Sequence, residues 1–257
     1  MQKIAEEFAP LLSQFNSNMT LDKEIFARVE NVYKKKGLLN LDKESKMLLD
    51  KTYKDFIRNG SSLNGEEKER MRELDQELSR LGLSFSNNVL SEMKSFELLI
   101  DNREDLKGLP DGIIAQAFSL AKEKGHENKW MFTLDYPSYI PFMKYADNRK
   151  LREKLFRARY SVAFKDNDYN NCNVIKNILL LRNERSILLG HKNHAAFVLE
   201  ERMASNPETV FSFLNELLEK ARPFASKEIE ELHDFSVKNG GPDTLRRWDT
   251  SYWSEKL

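Results

Sequence analysis

Four histidines are the first residues whose chemistry must be weighed. His191 and His194 stand three apart in HKNH, a spacing that lets two imidazoles share a metal on one helix face. Gly190 precedes His191, which puts that histidine in an inter-helix turn, and no cysteine or carboxylate nearby completes a ligand set. The pair therefore reads as a cap and a packed histidine, with a metal site on His191 and His194 as the competing hypothesis. His126-Glu127 opens like H-E-x-x-H but continues Asn128-Lys129-Trp130, so the second histidine is missing. It also follows Gly125, where a helix must stop. His233-Asp234 falls in a charged helix and reads as surface.

Cys172 is the single cysteine, which excludes an internal disulfide and an all-cysteine metal site. It is followed by asparagine and preceded by two more, with no charged partner to activate a thiolate. No G-x-S-x-G, phosphate loop or G-x-G-x-x-G occurs. The stretch 149–164 is basic (Arg149, Lys150, Arg152, Lys154, Arg157, Arg159) around an apolar stripe of Leu151, Leu155, Ala158 and Val162. It is expected to be a solvated face with side-chain stems lying on the core. Lys+Arg and Asp+Glu are both 41, so no global field attracts nucleic acid or an anionic membrane.

The elements that must hold these residues are helices. Charged residues are 32% and hydrophobic ones 40% of 257, mean hydropathy is −0.63, and glycine (10) and proline (7) are too few for an all-β chain. Helices are predicted over 21–36 with Thr20 as cap, 41–59 with Leu48, Leu49, Tyr53 and Phe56 inward, and 65–94 opened by an Asn64–Glu67 capping pair. The helix at 41–59 is expected to cover the third. Residues 95–101 and 129–135 read as short strands flanking a helix from Asp111 to Gly125. Residues 136–148 hold two prolines four apart among aromatics, which predicts a tight ordered packing segment rather than a long helix, with a peptide-contacting wall as the other reading. Helices resume at 149–164, 170–189, 193–202, 207–239 and from Trp248, with Asn206-Pro207 a strong start. The expected organisation is 1–94 helical, 95–147 a β pair with a helix and the proline-aromatic segment, and 148–257 helical and continuing past the C-terminus, all as one structural unit. The N-terminus lacks the apolar region of a signal peptide, and the longest aliphatic run, Ile178 to Leu181, cannot span a bilayer.

Three motifs go further. LDYPSYIPFMKYADNRKLREKLFRARYS (134–161), LRNERSILLGHKNHAAFVLEERMASNPETVFSFL (181–214) and KNGGPDTLRRWDTSYWSEKL (238–257) resemble, in order, L-x-x-P-S-Y-x-P-F-x-x-Y-A-x-N-R-x-L-R-E-K, L-R-x-E-x-A-x-L-L-G-Y-x-x-H-A-x-F-V-L and L-x-x-W-D-x-x-Y-Y-x-E-K-L of the thimet oligopeptidase and peptidyl-dipeptidase family of zinc peptidases. The likeness runs over essentially all 257 residues and is read as nearer to the peptidyl-dipeptidase branch. His191, Thr250 and Trp253 depart from the pattern, as does the end of the first motif.

The resemblance implies a mainly α fold: a multi-helix half of a two-lobed zincin-type oligopeptidase with a small two-stranded β element. It implies hydrolysis of short peptides by the parent, with this segment forming channel wall and size filter. The family's zinc is held by an H-E-x-x-H helix and a downstream glutamate. None of those positions lies in this chain, so no catalytic or metal residue is assigned and substrate contacts are left unassigned. Met1 reads as an internal methionine of a section that stops ahead of the zinc helix, with this chain alone inactive. The expected partners are short peptides and the rest of its own polypeptide, without nucleic acid or membrane. The expected location is the cytoplasm, or the periplasm if a targeting segment precedes Met1. The alternative is a non-catalytic helical peptide-binding or scaffold module.

Overall fold

Side-chain caps mark the starts of several helices. In the computed structural model, which describes residues 2–257, the helices are α1 (Gln2–Leu21), α2 (Lys23–Lys34), α3 (Lys43–Arg58), α4 (Gly65–Ser95), α5 (Asp111–Glu123), α6 (Tyr136–Tyr145), α7 (Arg149–Tyr160), α8 (Cys172–Leu188), α9 (His194–Leu199), α10 (Pro207–Lys238) and α11 (Arg247–Lys256). Two strands, β1 (Leu98–Ile100) and β2 (Trp130–Phe132), and a short 3-10 helix (Arg103–Leu106) complete the described elements. The chain is mainly α with a small β pair, as the sequence predicts. Asn64 and Glu67 exchange backbone-to-side-chain bonds, each 3.0 Å, at the head of α4, and Asn206 Oδ1 accepts from Thr209 N at 2.8 Å at the head of α10. Thr20 is not a cap. It lies inside α1 with its hydroxyl on Asn16 O, and Asp22, which the sequence reading passed over, takes the amides of Glu24 and Ile25.

The chain divides into two compact units. One contains the chain up to Asn87 and Cys172–Val210. In it α3 packs on α2 through stacked Tyr33 and Tyr53 (centroids 3.9 Å) and through Phe26. Ion pairs tie α4 to α8: Arg70–Glu184 at 2.6 Å and Asp75–Arg185 at 2.8 Å. Leu48 is exposed although predicted inward, because it lies about 100° around the helix from Leu49, the residue that shares a face with Tyr53 and Phe56.

The other unit contains Asn88–Asn171 and Phe211–Leu257. Its core is built on β1 and β2, antiparallel with Leu98 opposite Phe132 and Ile100 opposite Trp130. Period-two alternation turns Leu98 and Ile100 inward, where they meet α5, α6 and α7 through Ala117, Phe142 and Leu155. Phe132 and Phe142 pack edge to face at 4.6 Å. Each such buried side chain stabilises the unit by about 1.5–3 kcal/mol.

Residues 136–145 form a helix of 10 residues, a short element where no long helix was expected. Pro137 sits in the first turn, where its missing N–H costs nothing, and Pro141 removes a single internal bond. Burial of Tyr139, Phe142 and Met143 on one face outweighs that loss. The packing reading of this segment holds for those three residues.

Candidate functional site

The segments that carry the first and third motifs meet in the second unit, and their junction is the best-built polar site of the chain. Asn148 caps α7, its Oδ1 accepting from Leu151 N at 3.2 Å. This fixes Arg149 and Arg152 one turn apart at the start of that helix. Asp249 is set by α11, where its carboxylate also takes the amide of Arg246 at 3.0 Å. Arg149 grips Asp249 with two donors, at 2.9 and 2.7 Å. Arg152 donates to Asp249 Oδ1 at 3.1 Å, to Ala146 O at 2.7 Å and to Trp248 O at 3.2 Å, and its guanidinium lies 3.9 Å from the ring centre of Tyr252.

This corrects the expectation that every base of α7 lies on a solvated face. Arg152 is buried because position 152 turns toward α11 and the charge finds a carboxylate there. Burial alone would push the Asp249 carboxyl up, but Arg149, the Arg246 amide and Arg152 together hold it below the ordinary carboxylate value. Burial likewise pushes Arg152 down from the usual guanidinium value, against the pull of Asp249. The signals available in the sequence were an arginine beside the apolar stripe and an aspartate after Trp248 at the start of the last helix.

Around this joint opens a cleft of about 760 Å³ whose walls include Asp147, Arg149, Gly241, Trp253 and Lys256. Asp147 Oδ1 accepts from the Tyr252 hydroxyl at 2.7 Å, and Glu255 accepts from Lys144 at 2.8 Å and the Tyr145 hydroxyl at 2.7 Å. Lys144 and Tyr145 hold the Glu255 carboxyl below its ordinary value. Burial pushes the Tyr139 phenol, on α6, up to about 12. Asp249 and Glu255 are depressed and the phenols of Tyr139, Tyr145 and Tyr252 are raised, which suits positioning and binding rather than proton transfer near neutral pH.

His191 and His194 both lie against Phe197, their ring centres 5.2 and 6.2 Å from its own, while His126 and His233 lie beside Glu97 and Asp243. Gly190 adopts φ 82° and the His191 amide bonds back to Ser186 O at 2.9 Å, so His191 closes α8. His194 packs beside Phe197 (6.2 Å), and Asn193 supplies the α9 cap through Ala196 N at 2.9 Å. Burial, with Arg182 and Arg185, holds His194 below the usual imidazole value. His126 follows the α5 stop and lies 3.7 Å from Glu97, and half-buried His233 contacts Asp243 O at 2.9 Å, which raises it. Cys172 is exposed at the head of α8. Among the described residues no group of three or more His, Cys, Asp or Glu is placed to hold a metal ion, so the residues present do not fit the zinc that the resemblance implies.

Comparison with known proteins bears on the same segments. Residues 142–257 match the model of peptidase family M3. Oligopeptidase A of Escherichia coli (strain K12) is 34% identical over 261 residues, covering 100% of this chain and 38% of that protein. Dipeptidyl carboxypeptidase of the same organism is 29% identical over 257 residues, covering 100% and 38%. Saccharolysin of Saccharomyces cerevisiae is 28% identical over 254 residues, covering 95% and 35%. The chain thus spans about 38% of the length of the first curated relatives it matches. Identity to the first of these exceeds identity to the second, which moves the likeness away from the peptidyl-dipeptidase branch toward oligopeptidase A. The joint of α7 and α11 through Arg149, Arg152 and Asp249 lies inside residues 142–257, the part of the chain that matches peptidase family M3.

Proposed function

We propose that this chain is the N-terminal to middle portion of a zinc-dependent oligopeptidase that hydrolyses short peptides, with the zinc site outside these residues. Its part would be to form channel wall and to admit peptides by size. The observation that carries this reading is the alignment with oligopeptidase A across the whole chain, because it extends beyond the family-model match into the helices before residue 142. No catalytic step is assigned to the residues present.

The rest of the same polypeptide is the proposed structural partner. Phe211, Leu214, Leu218 and Ile229 lie exposed along one stripe of α10. The stripe continues into Leu232 and Ser236, which are buried beside α11. Covering each exposed phenylalanine or leucine would contribute about 1.5–3 kcal/mol. A cytoplasmic location is proposed with it. Among the described residues no helix is long and apolar enough to cross a membrane.

A chimera tests the reading. Replacing the aligned part of E. coli oligopeptidase A with these 257 residues should give chelator-sensitive hydrolysis of a quenched fluorescent peptide. The chain alone should give none, with or without zinc. A folded, zinc-loaded chimera without turnover would sink the proposal, and so would chelator-sensitive turnover by the chain alone. A chain that binds peptide while the chimera is inert would favour the non-catalytic binding module.

A further inference from the structure

A second cleft, of about 580 Å³, lies between α7 and the start of α11, lined by Glu153, Phe156, Arg157, Arg246, Arg247 and Trp248. Its charges are unbalanced. Arg157 is answered by Glu153 at 2.8 Å, and Asp249, the one acid in the first turn of α11, is committed to Arg149 and Arg152. Arg246 and Arg247 are exposed, and among the described residues no ion pair includes either of them. Arg247 moreover occupies the first turn of a helix, where the backbone dipole favours acids. Stability does not account for two unpaired cations at that place.

The floor of the cleft is aromatic. Trp248 and Phe156 meet edge to face at 5.9 Å. The guanidinium of Arg157 lies 4.9 Å from the Trp248 ring centre and that of Arg149 lies 5.7 Å from it. These contacts hold the ring and engage its π system, which leaves little room for a base to stack. A zero net charge over the chain also gives no extended field for a phosphate backbone. The volume far exceeds a single inorganic anion, and the apolar floor has nothing to offer one. Planar guanidinium forks match carboxylates bidentately, and Phe156 offers apolar surface beside them.

We propose that this cleft docks an acidic peptide segment, with carboxylates on Arg246 and Arg247 and an adjacent apolar side chain against Phe156. Docking is a binding event, so its test needs no turnover. A fluorescein-labelled, acetylated peptide alternating glutamate and leucine is titrated into the chain and followed by anisotropy. Saturable binding is expected, weakened by added salt and by at least about tenfold in Arg246→Ala/Arg247→Ala, the effect of losing charge-assisted contacts. Both side chains are exposed, so the variant should keep the parent's unfolding transition, which is measured alongside. Equal binding of the glutamine counterpart, or equal affinity of the double variant, would overturn the proposal. So would a single-stranded oligonucleotide of matched charge binding more tightly than the peptide, or inorganic phosphate displacing the peptide at equimolar concentration.

Discussion

Arg152 and Asp249, 2% and 0% exposed, face each other at 3.1 Å across the α7–α11 junction. A buried pair of this kind is weak evidence for net stability, but removing one partner strands the other. Asp249→Ala should therefore cost about 3–5 kcal/mol. Arg149→Ala, whose charge is half exposed, should cost about 1 kcal/mol or less. Denaturant unfolding monitored by tryptophan fluorescence separates the two. Equal, small losses would mean that water reaches Arg152 once Asp249 is gone.

Glu92, 3% exposed, pins the loop after α7 by accepting from the Ala163 amide, from Lys165 at 3.0 Å and from Asn167 at 3.0 Å. Burial opposes ionisation, yet these donors keep the Glu92 carboxyl below its ordinary value. Asp249 is depressed in the same direction. For a depressed carboxyl the stability is present above the unfolded pKa, about 4, and is lost as pH falls through the folded one. Glu92→Gln should cost about 1.5–3 kcal/mol at neutral pH and should open residues 161–171 to limited proteolysis. An unchanged cleavage pattern would remove the clamp role.

The positions read correctly from the sequence were set by local rules. The Asn64–Glu67 box, the Asn206-Pro207 start and the two strands at 98–100 and 130–132 follow from capping and alternation. Arg152 and Glu92 escaped because their burial depends on partners 97 and 71 residues away. Nothing near either residue announces such a partner. Asp22 took the cap assigned to Thr20 because α1 runs on through Leu21. The cleft at Arg246 and Arg247 was invisible because Trp248 reaches α7 only in three dimensions.

Two adjacent glycines should respond for different reasons. Gly240 ends α10 at φ 77° with nothing near its missing Cβ, so Gly240→Ala should cost about 1–2 kcal/mol, the backbone penalty alone. Gly241 has no positive φ, but a Cβ there would overlap Ser236 Oγ and come within 2.6 Å of Trp253 Cζ2. Gly241→Ala should force α11 off α10 at about 1–3 kcal/mol and shift the tryptophan emission, which Gly240→Ala should not. Matching emission in both variants would count against close packing at Gly241.

His194 gives the pH dependence above the carboxylate range. Burial, with Arg182 and Arg185, lowers its pKa in the folded chain, and its Nδ1 is buried without a partner. The unfolded chain therefore takes up the proton first as pH falls. The stability tied to neutral His194 is complete above about pH 6.5 and is lost below it, down to the folded value. His194→Phe keeps a ring beside Phe197 and removes both the titration and the unpaired nitrogen. Denaturation midpoints at about pH 7.5 and pH 5 should differ clearly in the parent and less in the variant. At the higher pH the variant should be as stable as the parent or up to about 1 kcal/mol more so, because an unsatisfied polar atom has gone. The acid losses at Asp249 and Glu92 set in lower and should be unaltered, so an unchanged slope between the two pH values would show that His194 is not the titrating group.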